Sequence, residues 1–229
     1  MGFLYMDKYY LVLVVPAMIL ALYAQFKVTS TYKKFSEVRN VRGITGAQAA
    51  AQVLSFYGIN DVQIRPIGGN LTDNYNPRTK VLSLSQANYS GTSIAAVGVA
   101  CHEVGHAIQH STDYYPIKVR SALVPVTKIG SMAGIPLAVL GAVLGFSPLI
   151  TIGLMLYSLV AIFQFVTLPV EFNASNRAIK AIEEMGLLYE DETQSAQKVL
   201  SAAALTYVAS LVVSLANLLR LFLRFNNRR

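Results

Sequence analysis

The sequence predicts an α+β membrane protein, in which a small unit of helices and an antiparallel sheet is combined with three to four transmembrane helices. Hydrophobic residues make up 54% of the 229 residues and charged residues only 14%, which is too apolar for a solvated domain of this size. The apolar residues are concentrated in long uncharged runs, and strand-like and helix-like segments lie in the polar sequence between them. Much of the chain is therefore expected to face lipid.

Three uncharged runs are long enough to span a bilayer. Residues 9–26 carry aromatic residues at both ends, which is typical of a retained membrane anchor. Residues 129–170 contain no charged residue and no histidine, and Gly145 and Pro148 break them near the middle, which predicts a transmembrane hairpin. Residues 199–219 are also long enough to cross, but their first half is rich in Ala and Ser and could instead pack against protein.

Basic residues next to the apolar runs predict the orientation, because such residues stay in the cytoplasm. They follow the anchor and flank the hairpin: Lys27, Lys33, Lys34, Arg39, Arg42, Lys118, Arg120, Lys128, Arg177 and Lys180. We therefore expect the amino terminus outside and the polar segments on the cytoplasmic side of the membrane. Four arginines after residue 219 conflict with a fourth crossing, and an amphipathic tail lying on the inner surface would resolve the conflict.

The net charge of +7 is explained by this membrane topology and by attraction to anionic lipid. No nucleic-acid-binding motif accompanies the charge, so no nucleic-acid partner is expected. The lipid bilayer is the expected partner, and the oligomeric state is left open.

The polar sequence predicts two helices and two strands. A helix is expected from about 46 to 57, with Thr45 as its N-cap and Gly58 as its stop. The segments VQIRPI and VLSLSQ read as strands that form an antiparallel pair across a turn-rich connection. A second helix, rich in Ala and Val, is expected from Thr92 to about Ser111.

Five segments follow from these patterns. They are an N-terminal transmembrane anchor (1–26), a cytoplasmic domain with the histidine-bearing helix (27–128), a transmembrane hairpin (129–170), a helix that belongs to the same cytoplasmic domain (171–198), and a C-terminal apolar helix with a basic tail (199–229).

The stretch CHEVGHAIQH holds all three histidines of the chain and contains the pattern H-E-x-x-H. His102 and His106 are four residues apart, so on a helix their imidazoles lie on one face and can converge on a zinc ion. Glu103 is in register to act as general base toward a water molecule whose pKa zinc lowers. The sequence therefore predicts Zn²⁺ as cofactor.

His110 is not expected to be the third ligand. On a continuous helix it would lie about 12 Å along the axis from His102, whereas two ligands of one zinc lie about 3 to 3.5 Å apart. With no histidine left, a carboxylate is the natural candidate. Glu171 stands out because it directly follows the uncharged hairpin, and Ala174 and Ala178 would share its helix face and allow close packing. The remaining candidates are Asp73, Asp113, Glu183, Glu184, Glu190, Asp191 and Glu192, of which Glu183, Glu184 and residues 190–192 are expected to form solvated surface.

CHEVGHAIQH, LPVEFNASNRAI and NYNPRTKVLSLS together closely resemble the YugP-like family of membrane neutral zinc metallopeptidases, over nearly the whole chain. The resemblance implies a zincin-like catalytic unit of the gluzincin type, distantly similar to HtpX and the CAAX prenyl proteases. It implies zinc binding by His102, His106 and Glu171, with Glu103 as catalytic base. Ser175 stands where the HtpX-type pattern has Asp. Because zincins commonly bind extended peptide at an edge strand, VLSLS is a candidate for that edge.

The expected function is that of a membrane-bound zinc-dependent metalloendopeptidase, with a peptide or membrane protein as substrate. The alternative is a non-catalytic membrane scaffold with a structural or decayed zinc site. An intramembrane protease is disfavoured, because the sequence around the histidines is too polar for a lipid-buried span. Arg177, His110 and Tyr114 are candidates for stabilising the oxyanion.

Overall fold

The computed structural model describes residues 7–226, which divide into two compact units. The helical unit contains residues 7–25, 118–169 and 206–226. The α/β unit contains residues 26–117 and 170–205.

Helices dominate the described part of the chain, and one small sheet accompanies them. In chain order, after a π-helical turn at Tyr10–Val14, the elements are α1 (Val15–Ser36), α2 (Gly46–Phe56), β1 (Gln63–Ile67), β2 (Asn74–Asn76), β3 (Val81–Ser85), α3 (Gln86–Tyr89), α4 (Ile94–Ser111), α5 (Tyr115–Leu144), α6 (Ser147–Glu184) and α7 (Glu190–Asn226).

Four helical segments of the described residues have the length and apolar composition needed to cross a membrane: Tyr10–Ser36, Tyr115–Leu144, Ser147–Glu184 and Glu190–Phe225. The last contains the run 199–219, whose crossing the sequence left open. The sequence predicted three to four transmembrane helices, and the structure supports four candidates among the described residues.

The predicted hairpin corresponds to α5 and α6. Gly145 adopts a positive φ of 66° between them, and Pro148 lies in the first turn of α6, where its missing N–H costs nothing. Small residues let the two helices approach closely, because a Cβ on Gly153 would stand 2.4 Å from the backbone nitrogen of Ala138. Both helices extend well beyond the uncharged run.

The first residues of the predicted surface-lying tail form the end of α7. Helix α7 continues without a break to Asn226, and Arg220 and Arg224 on it are buried. Both guanidinium groups bind the carboxylate of Asp7, at 3.0 and 2.6 Å. The ion pairs neutralise charges that would otherwise favour the aqueous surface. The last two arginines of the tail, Arg228 and Arg229, lie outside the described residues.

The sheet of the α/β unit is mixed, with the order β1-β3-β2. β1 pairs with β3 in parallel, and β2 pairs with β3 antiparallel. The predicted antiparallel pairing of VQIRPI with VLSLSQ is therefore wrong. The reason is that the turn-rich connection contains a strand of its own, β2, which takes the hairpin position beside β3.

This order also overturns the edge position expected for VLSLS. β3 has a neighbour on each side, and its Leu82 and Leu84 are fully buried. The edges of the sheet are β1 and β2. The backbone groups of β3 are thus used within the sheet and are not available to an added peptide strand.

Helix α2 packs against α4, and both have the ends that the sequence predicts. Thr45 and Gln48 form a reciprocal capping box at the start of α2, and Gly58 has a positive φ of 69° just after its end. The Ser93 hydroxyl accepts a hydrogen bond from the N–H of Ala96 at the start of α4. Most of α4 is buried, which gives its histidines a rigid support.

Helix α7 begins with an acidic run that is only partly solvated. Glu190 and Asp191 are exposed as expected, but Glu192 is 4% exposed, so the expectation for it is wrong. Its two carboxylate oxygens accept hydrogen bonds from the N–H groups of Tyr189 and Val41. The third position of a helix favours such a carboxylate, because free N–H groups lie there.

Helices α4 and α6 are in close contact at Gly105. A Cβ built on Gly105 would stand 2.5 Å from the carbonyl oxygen of Ala174. Ala174 and Ala178 are fully buried, as the predicted small face of this segment requires. Gly98 is also on α4, and a Cβ built on it would stand 3.3 Å from the Cβ of Ala196. This contact is tight, but the nearest atom belongs to a side chain.

Substituting Gly105 by Ala should destabilise the protein, because the new methyl group meets the backbone of α6. We expect a cost of about 1–3 kcal/mol for the overpacking, partly offset by about 1 kcal/mol from better helix propensity. Gly98→Ala is the matched control on the same helix and should change stability little. Thermal unfolding of the purified full chain in detergent measures both, and equal melting temperatures for the two variants would contradict the argument.

Candidate metal centre

The first two residues of the site lie one turn apart on α4. His102 and His106 face the same side of the helix, with ring centroids 4.9 Å apart and an angle of 84° between the ring planes. Both rings are largely buried, since their side chains are 15% and 11% exposed. The spacing of four residues thus produces the shared face expected from the sequence.

Glu171 reaches this pair from α6. Its Oε2 lies 3.3 Å from Nε2 of His102 and 3.6 Å from Nε2 of His106. Glu171 lies far inside α6 and is only 2% exposed. One ligand atom from each of the three residues lies within 4.8 Å of the other two.

This donor set fits a zinc ion. Two ligand atoms bound to one tetrahedral zinc at 2.0 to 2.1 Å are roughly 3.3 Å apart, which is close to both of the nitrogen–oxygen distances. Two imidazole nitrogens and one carboxylate oxygen are also ligands that zinc prefers. The three side chains could therefore hold a zinc ion and leave a coordination position for another ligand.

The other candidate carboxylates are elsewhere. Glu183, Glu184, Glu190 and Asp191 are exposed, and Glu192 caps α7. The carboxylate of Asp73 accepts hydrogen bonds from Ser85 and from the side-chain amide of Asn88. Of the candidates proposed from the sequence, the structure brings Glu171 to the histidines.

Each histidine has a hydrogen-bond partner behind it. Nδ1 of His102 lies 3.1 Å from the hydroxyl oxygen of Ser175. Ser175 stands where the HtpX-type pattern has Asp, so at this position a hydroxyl, and not a carboxylate, lies next to His102. Nδ1 of His106 lies 3.0 Å from Oε1 of Gln109, a residue that the sequence did not single out. The sequence could have indicated this contact, because Gln109 follows His106 by three residues and side chains three apart meet on a helix.

Glu103 lies beside the ligand pair and is 9% exposed. Burial raises the pKa of its carboxyl above the ordinary value, and the positive charges of His106 and His102 hold the rise back. A carboxylate whose pKa is shifted toward neutrality is a better proton acceptor and donor near pH 7 than an exposed one.

The surroundings of His106 favour positive charge. Burial lowers the pKa of its imidazole, but the nearby carboxylates of Glu171 and Glu103 outweigh burial and raise it. A pocket in which two carboxylates favour a cation on the protein also favours a bound metal cation.

The residues considered as oxyanion stabilisers make contacts with other side chains. His110 is outside the ligand group and its ring is 5.8 Å from that of Tyr75. The Arg177 side chain donates from Nε to Asn173 at 2.8 Å, and its guanidinium carbon is 5.8 Å from the ring centroid of Tyr114. Burial raises the pKa of the Cys101 thiol to about 12, so this neighbour of His102 is an inert packing residue.

Asp73 anchors a polar network that the sequence did not predict. Its carboxylate fixes the end of β3 through Ser85 and binds Asn88, and Asn88 accepts a hydrogen bond from the hydroxyl of Tyr32 at 2.8 Å. Asn88 and Ser85 are fully buried. The network links the sheet to α3 and α1 within the α/β unit.

The chain is similar to known proteins over almost its whole length. The profile of the family described as "Putative neutral zinc metallopeptidase" matches residues 10–226. The chain belongs to this family. The match extends over nearly all the described residues.

One relative of this chain is the "Putative membrane protease YugP" of Bacillus subtilis (strain 168), which is 44% identical to it over 220 residues. The alignment covers 96% of this chain and 98% of the relative. No solved structure matches the chain.

Glu171→Gln should weaken zinc binding by more than about 100-fold, which exceeds the loss usual for a partner outside the ligand set. The amide keeps the size of the side chain but removes the negative charge that faces the two imidazoles. Glu183→Gln, an exposed residue on the same helix, is the control and should bind zinc like the wild type. Competition with a chromophoric chelator measures the affinity, and equal values for both variants would exclude Glu171 as a ligand.

Proposed function

We propose that this chain is a membrane-bound metalloendopeptidase whose zinc ion is held by His102, His106 and Glu171. The observation that carries the proposal is the convergence of these three side chains, with the buried Glu103 next to His102 on α4. The family membership and the membrane protease relative support it.

The chain's own residues have distinct tasks in this proposal. Bound zinc would polarise the scissile carbonyl and make a water molecule more acidic. Glu103 accepts the proton of the attacking water at its carboxylate and donates it to the leaving amine nitrogen. His102, His106 and Glu171 hold the metal, and burial of the site excludes competing water from these groups. Peptides or membrane proteins are the proposed substrates.

A non-catalytic scaffold is the alternative function. Structural zinc sites are usually closed by four Cys or His ligands. Among the described residues, the ligand group has three members, two histidines and one carboxylate. A three-ligand set with a buried acid beside it is the arrangement typical of catalytic zinc, so hydrolysis is the favoured function.

We also propose that the α/β unit lies on the cytoplasmic side of the bacterial inner membrane. The support is the distribution of lysines and arginines, which is concentrated beside the apolar runs in segments 27–42 and 118–128. The turn between α5 and α6 is uncharged, as expected of a short loop that is moved across the membrane.

Glu103→Gln should remove proteolysis while leaving the zinc in place. The amide cannot accept the proton of water, so the rate of peptide cleavage should fall about 10²- to 10⁴-fold, the usual contribution of a general base. Cleavage of a peptide library and metal content are measured on the purified full chain, with the exposed Glu184→Gln as control. Unchanged cleavage by Glu103→Gln would contradict the mechanism. Absence of cleavage by wild-type protein loaded with zinc would favour the scaffold.

Two variants, each with one added cysteine, test the orientation. Ser147→Cys lies at the exposed turn between α5 and α6, and Ser55→Cys is exposed on α2. A membrane-impermeant maleimide should label the first in intact cells and the second only after lysis. The native Cys101 is buried and should stay unlabelled in both variants. Labelling of Ser55→Cys in intact cells would place the α/β unit outside.

A further inference from the structure

We propose that Gln109 is a positioning residue, which fixes the imidazole of His106 so that Nε2 faces the metal. The inference rests on the proposed zinc-dependent function. It concerns how the protein orients one ligand, and it assigns to Gln109 a task that the H-E-x-x-H motif does not include.

Gln109 is fully buried and makes three hydrogen bonds with its side-chain amide. Its Nε2 donates to the backbone carbonyl of Val170 at 2.7 Å and to Oδ1 of Asn173 at 3.0 Å. Its Oε1 lies 3.0 Å from Nδ1 of His106. Both groups that receive hydrogen bonds from Gln109 belong to α6, the helix that supplies Glu171.

The polarity of these bonds leaves the amide one orientation. The carbonyl of Val170 can only accept a hydrogen bond, so the NH₂ end of Gln109 must face it. A reversed amide would place two oxygens 2.7 Å apart. Asn173 presents an acceptor as well, because the Nε–H of Arg177 donates to the same Oδ1 at 2.8 Å.

The orientation of the amide in turn decides which ring nitrogen of His106 carries the hydrogen. Because Oε1 of Gln109 only accepts, Nδ1 of His106 must carry the hydrogen and donate it. The lone pair of the neutral ring is then on Nε2, the atom that lies 3.6 Å from Oε2 of Glu171. The backbone of α6 thus selects, through Gln109, which nitrogen of His106 is available to zinc.

His102 is oriented by a different kind of partner. The hydroxyl of Ser175, 3.1 Å from its Nδ1, can either donate or accept a hydrogen bond. Ser175 therefore accommodates both tautomers, whereas Gln109 accommodates one. The two ligands are also held by neutral groups, which make the imidazoles weaker bases than a carboxylate partner would.

Gln109→Met tests the inference because it keeps a similar length and removes every hydrogen bond of the side chain. We expect the zinc affinity of the purified full chain to fall about 10- to 100-fold, as is usual for the partner of a ligating histidine. Ser175→Ala should cause a smaller loss. The exposed Gln52→Met is the matched control and should leave the affinity unchanged.

Nuclear magnetic resonance of ¹⁵N-histidine in the zinc-loaded protein gives a readout that a purely structural role would not change. The chain has only three histidines, so the ring signals can be assigned. In the wild type we expect His106 to bind zinc through Nε2 and to show a slowly exchanging Nδ1 proton. In Gln109→Met that proton should exchange rapidly, while the signal of His102 stays in place.

Zinc affinity and a His106 spectrum that are both unchanged in Gln109→Met would overturn this inference alone. A wild-type spectrum in which His106 binds zinc through Nδ1 would also overturn it, and this measurement needs no variant to fold. If the wild type binds no zinc at all, the proposed function fails, and the inference that rests on it fails with it.

Discussion

The close packing of α4 against α6 is the contact on which the candidate site depends. Gly105 admits the backbone of α6 at Ala174, and a side chain larger than hydrogen at position 105 would separate the helices. Glu171 and Ser175 lie within one turn of Ala174, so they reach His102 and His106 only while that contact holds. Metal ligands must be placed to within about 0.5 Å, and a backbone contact sets such a distance better than flexible side chains do.

Charge gives a second reason why these residues belong together. Glu103 and Glu171 are both buried, and burial of two carboxylates is costly unless cations or hydrogen bonds compensate. The two imidazoles supply part of that compensation. A divalent cation would neutralise the formal charge of the two carboxylates, whereas an apolar core gives no reason to retain them. The electrostatics therefore favour a metal for the same residues that the geometry brings together.

The sequence predicted the features that depend on local spacing and missed those that depend on distant partners. The shared face of His102 and His106 follows from the helical period, and the break at Gly145 follows from its backbone conformation. The mixed sheet could not be predicted, because the three residues of β2 carry no strand pattern and gain their place only by pairing with β3. The roles of Arg220 and Gln109 could not be predicted for the same reason. Their partners are Asp7, 213 positions away, and a backbone carbonyl, which no sequence pattern reveals.

The ligand side chains all come from two helices, so the site requires the placement of α4 relative to α6 and little else. Three contacts define that placement: His102 with Ser175, Gly105 with Ala174, and Gln109 with Val170. Positions 102, 105 and 109 are separated by three and four residues and form one stripe of α4. Each contact is of a different kind: a hydroxyl beside an imidazole, a backbone packed on a glycine, and an amide on a carbonyl. Sliding α6 by one turn would carry Glu171 and Ser175 away from the histidines, because both side chains belong to α6. The metal site and the register of the two helices are therefore a single structural feature.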